Sequence, residues 1–153
     1  MAAALALLVA CSSPSAPRVP TGAIQIVPGE SAAWSHTWST FSGFSVPITI
    51  TNNWDRTIYL VGGNCGVKTE QNIDGSWRML PNQTVCALVG YPPTPIAPGE
   101  SFTQAVFFST NESLALPGQH RVIVGLAVKD GDEFRLLADH FSVSSPFLVT
   151  DGS

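Results

Sequence analysis

The residues able to do chemistry are few and scattered. Three cysteines, Cys11, Cys65 and Cys86, occur without a CxxC spacing and without a neighbouring histidine, so neither a redox pair nor a zinc site is spelled out. The histidines His36, His120 and His140 form no HxH or HExxH pattern, even with Asp139 beside His140. They read as surface or strand-edge side chains, and no metal site is expected. Asp130, Asp132 and Glu133 cluster in a turn but lack the alternating oxygen ligands of a calcium loop. No GxSxG elbow and no Gly-rich phosphate loop is present. The expectation is a non-enzymatic chain without a cofactor. That leaves the tryptophans, because an exposed indole can stack on a sugar ring or anchor a protein contact. Trp54, in the polar turn Asn52-Asn53-Trp54-Asp55, is the best candidate for an exposed one. Trp77, in a candidate strand, is expected in the core, and Trp34 and Trp38, four apart, would share one face of a strand.

The elements that must position these residues read as all-β. The chain has 153 residues, enough for one domain with a real core. Hydrophobic content is 44%, too high for a disordered chain, and 13 Gly and 12 Pro punctuate short apolar runs. Ile24 and Ile26 open the first strands, interrupted by Pro28-Gly29-Glu30. Phe44, Val46, Ile48 and Ile50 alternate with small or polar residues, the period of a half-buried strand. Asp74-Gly75 sits between two runs as a tight hairpin turn, and Asp130-Gly131-Asp132 does the same later. Residues 84–89 read as a strand carrying Cys86, and Tyr91 to Pro98 as a Pro-rich crossing loop. Val106 and Phe108 should face one side with Phe107 on the other, and Val122, Val124, Leu126 and Val128 should share a face. About eight to ten strands at this spacing predict an antiparallel β-sandwich over residues 22–150. Pro-Gly-Glu-Ser occurs twice, at 28–31 and 98–101, and is read as one turn solution used twice.

Charge excludes some partners. Only 12% of residues are charged and the net charge is -4, which argues against nucleic acid as a partner and against an electrostatic hold on anionic lipid. No apolar run reaches the roughly 18 residues of a spanning helix.

Residues 2–10 are uninterruptedly apolar and end in Leu8-Val9-Ala10-Cys11. This run resembles the bacterial lipobox, in which the cysteine is acylated and the preceding peptide removed. The resemblance implies a signal peptide at 1–10, a lipidated Ser/Pro-rich tether at 11–21 that builds no core, and a membrane partner reached through the Cys11 lipid. A signal peptide normally opens with Lys or Arg, and nothing before Arg18 is charged, so either the true start lies upstream or the signal is atypical. In a Gram-negative host, Ser12 after the lipidated cysteine fits sorting to the outer membrane. With Cys11 acylated in an oxidising compartment, Cys65 and Cys86 remain as one disulfide, closing a loop of about 20 residues.

The middle of the chain resembles the BsuPI-type proteinase-inhibitor domains. The residues that carry this are Asn52-Asn53, Ile58-Tyr59-Leu60, Ile73-Asp74-Gly75-Ser76-Trp77-Arg78, Ile96-Ala97-Pro98-Gly99-Glu100-Ser101 and Pro117-Gly118-Gln119-His120-Arg121-Val122. The resemblance implies an immunoglobulin-like sandwich and an inhibitor activity, for which Tyr91–Pro98 would be the reactive loop. The leading expectation is instead an envelope-anchored binding module for a protein or glycan. Its loops Asn52–Arg56, Gly62–Gly66 and Tyr91–Pro98 would carry recognition, with Trp54, Tyr91, Pro92 and Pro93 as candidate contacts.

Overall fold

The computed structural model describes residues 18–38, 41–81, 92–110 and 117–151. Cys11, Cys86, Tyr91 and the strand expected at 84–89 lie outside the described residues. The described residues form β1 (Ile24–Pro28), β2 (Ser31–Trp38), β3 (Phe41–Asn52), β4 (Ile58–Leu60), β5 (Lys68–Ile73) and β6 (Ser76–Leu80). They continue with β7 (Thr94–Ile96), β8 (Ser101–Thr110), β9 (Gly118–Ile123), β10 (Leu126–Asp130), β11 (Glu133–Leu136) and β12 (Phe147–Asp151). Short 3-10 turns occupy Gly63–Gly66 and Asp139–Phe141. The chain is all-β, as its alternating runs predict. More strands form than expected because runs that look continuous are split. His120–Lys129 breaks at Val124-Gly125 into β9 and β10, and the Pro-rich segment supplies β7.

Three sheets result. β3 is flanked by β8 on one edge and by β1 and then β2 on the other. The second sheet runs β2-β12-β9-β5-β6, and the third runs β11-β10-β4-β7. β2 joins the first two sheets. It leaves β12, with which Ser31 to Trp34 pair in parallel, and meets β3 at Ser35↔Gly43, its register shifting between Ser35 and Trp38. That parallel pairing departs from the purely antiparallel expectation. The first two sheets pack face to face, sandwich-like. Phe44 of β3 meets Phe108 of β8 at 5.3 Å and reaches across to Phe147 of β12 at 5.7 Å and His120 of β9 at 5.4 Å.

The core follows from alternation. Phe44, Val46, Ile48 and Ile50 are buried, as are Val106 and Phe108, while Phe107 points out. Each of these buried side chains contributes about 1.5–3 kcal/mol relative to exposure, so an Ile48→Asp change would break the sheet. Val122, Val124, Leu126 and Val128 are buried as expected, but Ile123 and Ala127 are buried too, because the chain is covered on both faces where the end of β9 passes into β10. The core also begins earlier than the expected domain start, since Val19 is already packed into it.

The Asp74-Gly75 turn is as predicted. Ile73 pairs with Ser76, and both turn residues have positive φ, 52° and 81°, which matches the right-handed twist of a two-residue hairpin. The two Pro-Gly-Glu-Ser runs differ. Gly99 has φ 78° and donates its N–H to the Asn52 carbonyl at 2.7 Å. Gly29 does not adopt a positive φ, and its N–H donates instead to the Pro47 carbonyl at 2.8 Å. One run closes a turn and the other steps β1 into β2, so the shared sequence is not a shared turn.

Candidate functional site

At the end of β3 the buried Asn52 organises its loop. Its Nδ2 donates to the carbonyls of Arg56 at 2.8 Å and Ile96 at 2.9 Å, while its Oδ1 accepts the Trp54 N–H at 3.0 Å. This Asx-type turn folds Trp54 inward. The indole is 7% exposed and belongs to the core cluster, with the Arg56 guanidinium 5.4 Å from its ring centroid. The expected exposed tryptophan is therefore a core residue. Arg56 also donates to the Lys129 carbonyl at 3.2 Å, tying this loop to β10.

Of the expected crossing loop Tyr91–Pro98, the described residues 92–98 are not a free loop either. Thr94, Pro95 and Ile96 pair with Leu60, Tyr59 and Ile58 as an edge strand, and Ile96 is buried. Pro95 lacks an N–H and is tolerated because β7 lies at the sheet edge. Pro92 is exposed and Pro93 half-buried. Because Thr94 lies level with Leu60, these prolines come beside the Val61 end of β4, whereas Trp54 precedes its Ile58 end. Trp54 and the two prolines thus lie at opposite ends of β4 and do not form one site.

The third nominated loop borders a cleft of about 310 Å³. Its walls include Val61, Gly66, Ile123, Leu126 and Leu136, with Lys68 and Asp139 at its rim. Gly62 and Gly63 have φ of 79° and 51°, which turns the chain sharply after β4. The Cys65 and Gly66 N–H groups then return to the Gly62 carbonyl at 2.9 and 3.2 Å. The strand and the turn approach so closely that a Cβ on Gly66 would collide with the Val61 carbonyl oxygen. Gly125, opposite, would place a Cβ 2.9 Å from the same oxygen. Leu136 is 71% exposed on the cleft wall, and Lys68 reaches Asp139 at 3.0 Å across its rim. That exposed ion pair orients more than it stabilises. Cys65 is exposed; the partner expected for it, Cys86, lies outside the described residues.

His120 is fully buried, contrary to the surface reading. Its Nδ1–H donates to the Gly118 carbonyl at 3.0 Å, and its Nε2 has no hydrogen-bond partner among the described residues. Burial holds the imidazole below its ordinary pKa, and the Gly118 bond pushes it part of the way back. His140 is exposed and packs on Phe141. Among the described residues no group of three metal-ligating side chains occurs, and no helix is long and apolar enough to cross a membrane.

No family model matches the chain, and no curated protein matches it. Among solved structures the chain is similar to the Northeast Structural Genomics Consortium target SoR45. The TM-score is 0.50 at 15% identity, over 85% of this chain and 88% of that one. It is also similar to the putative ApaA protein from Bordetella pertussis, with a TM-score of 0.44 at 14% identity over 84% of this chain and 91% of that one. A third likeness is to the DNA-bound alkylpurine DNA glycosylase AlkC of Pseudomonas fluorescens. Its TM-score is 0.31 at 11% identity, over 84% of this chain and 30% of that one. The first likeness bears on the fold alone.

The remaining aromatic candidate is Trp77. It is half-buried on β6 rather than in the core, with the Arg121 guanidinium 4.4 Å over its ring. Arg121 Nε also donates to Glu70 at 2.6 Å. Its place opposite Asn72 follows from the Asp74-Gly75 hairpin, which the sequence marks; the partnership with Arg121 depends on β9 joining β5, which no local signal announces.

Proposed function

We propose that this chain is a bacterial lipoprotein held at the cell envelope by an acylated Cys11, and that its β-domain is a non-enzymatic binding module for a protein or glycan. The apolar run ending in Leu8-Val9-Ala10-Cys11 supports the anchor. Val19, the first core residue among those described, lies eight positions after Cys11, at most about 28 Å of extended chain, so a lipidated domain would stand close to its membrane. Pairing of Cys65 with Cys86 suits the same oxidising compartment.

The observation that carries the binding reading is the cleft between the Gly62–Gly66 turn and β10–β11. Its glycines hold it in shape, its walls are apolar, and Leu136 projects beside an oriented ion pair. A preformed apolar concavity with a few fixed polar groups is what a binding site requires. The experiment is crosslinked capture from envelope fractions with the native chain and with Leu136→Asp. Capture of a partner by the native chain, lost in the variant, supports the reading; equal capture by both removes the cleft from it. The inhibitor reading suggested by the BsuPI resemblance is less well supported. A reactive loop must offer its backbone to a protease, and the backbone of Thr94–Ile96 is paired to β4.

A further inference from the structure

We propose that the outer face of the second sheet is a binding site for a neutral glycan, with the Trp77 indole as its stacking platform and the Asn72 and Gln119 amides as its hydrogen-bonding groups. The proposal rests on the binding-module reading but uses a surface separate from the cleft.

The register places these residues in one row. Trp77 on β6 lies opposite Asn72 on β5, and Gln119 on β9 lies opposite Leu148 on β12. One step beyond the Gln71↔His120 pair, Gln119 comes level with Asn72, so the row crosses four strands. With strands about 4.8 Å apart it spans about 14 Å, long enough for a short oligosaccharide. Alternation puts Thr69, Gln71, His120 and Val122 inward, where they are buried, and leaves this row outward. Gln119 is exposed, Asn72 and Trp77 are half-buried, and Leu148 is 49% exposed.

The chemistry fits a pyranose. A sugar ring has an apolar C–H face, which packs on an indole, and a rim of hydroxyls that both donate and accept. An amide side chain offers one acceptor and two donors, the complement of neighbouring hydroxyls. Neither the Asn72 nor the Gln119 amide makes a hydrogen bond among the described residues, so both are available. Arg121 covers one side of the indole and is itself held by Glu70, which fixes the ring before any ligand arrives and reduces the ordering cost of binding. The same ion pair cancels the charge at the centre of the face, which disfavours an anionic ligand.

The test is pelleting of the detergent-solubilised lipidated chain with insoluble cellulose and chitin, competed by their soluble hexasaccharides, with heparin beads as the anionic comparison. The expected result is retention on a neutral polymer that the matching hexasaccharide releases. Binding should weaken about tenfold in Trp77→Ala and by less in Asn72→Ala or Gln119→Ala. Trp77→Phe should retain part of it, and circular dichroism of each variant establishes that the sheet is formed. Retention by heparin alone, no retention by either neutral polymer, or equal retention by a folded Trp77→Ala overturns the glycan site. If the neutral polymers fail while Leu136→Asp still abolishes capture of an envelope protein, the glycan inference falls and the binding-module reading stands.

Discussion

Asn52 Nδ2 donates to the Ile96 carbonyl at 2.9 Å, joining the end of β3 to β7 through the interior of the domain. The same side chain also serves Arg56 and Trp54, and the Asn52 backbone bonds to Gly99 and Glu100. One buried amide therefore ties together a core strand, a loop and an edge strand. Replacing it with Leu would leave the Ile96 carbonyl and the Trp54 N–H without these partners in the interior, and the Arg56 carbonyl without its partner at a part-buried position. Asn52→Leu should cost roughly 3 kcal/mol or more, read as a lower urea midpoint with an unchanged m-value.

Glycines with and without neighbours should differ. A Cβ at Gly66 collides with the Val61 backbone, while at Gly75 it meets nothing within 4 Å and only the positive φ resists it. Gly75→Ala should cost about 1–2 kcal/mol from backbone strain alone, and Gly66→Ala distinctly more, since backbone cannot move aside cheaply. Thermal unfolding of the two variants gives the order, and Gly66→Ala should also alter the cleft.

His120 should make stability depend on pH. Its folded pKa is lowered, chiefly by burial, so above about pH 6.5 both folded and unfolded chains carry the neutral ring and this part of the stability is intact. As pH falls through 6.5 the unfolded chain binds a proton that the folded chain resists. Stability then declines, by up to about 1.4 kcal/mol per pH unit, until the folded pKa is reached. Urea midpoints from pH 7.5 to 5 should show this decline in the native chain, and His120→Gln should remove the His120 contribution to it.

Much of the fold is legible in the sequence because strand alternation is local. The buried faces of β3 and β8 and the Asp74-Gly75 hairpin follow from residues within a few positions of one another. What sequence reasoning misses depends on long-range pairing. Trp54 looks exposed because its neighbours are polar, yet it is Asn52 bonding to both its own loop and Ile96 that turns the indole inward. Pro92 to Pro95 reads as loop because proline weakens a strand, and only the edge position of β7 permits it. His120 reads as surface because a lone histidine carries no sign of burial; its neighbours Phe44 and Phe147 come from other strands. The candidate site was least legible. The cleft is built from the turn after β4 and from β9 to β11, far apart in sequence, and its one signal was Gly62-Gly63.

The proposed Cys65–Cys86 bond closes a loop of about 20 residues and should contribute roughly 3 kcal/mol. Cys65→Ser, or reduction of the native chain, should lower the unfolding midpoint to the same extent. Combining the two should add nothing further. A Cys65–Cys86 cross-linked peptide in a non-reducing digest identifies the pair directly.

The anchor places every other part of the proposal at the envelope, and mass spectrometry of the chain extracted from bacterial membranes tests it most directly. The expected result is a mature N-terminus at Cys11 carrying acyl chains, with residues 1–10 removed and Cys11→Ser releasing the protein from the membrane fraction. A soluble chain with Met1 or an unmodified Cys11 at its N-terminus would contradict it.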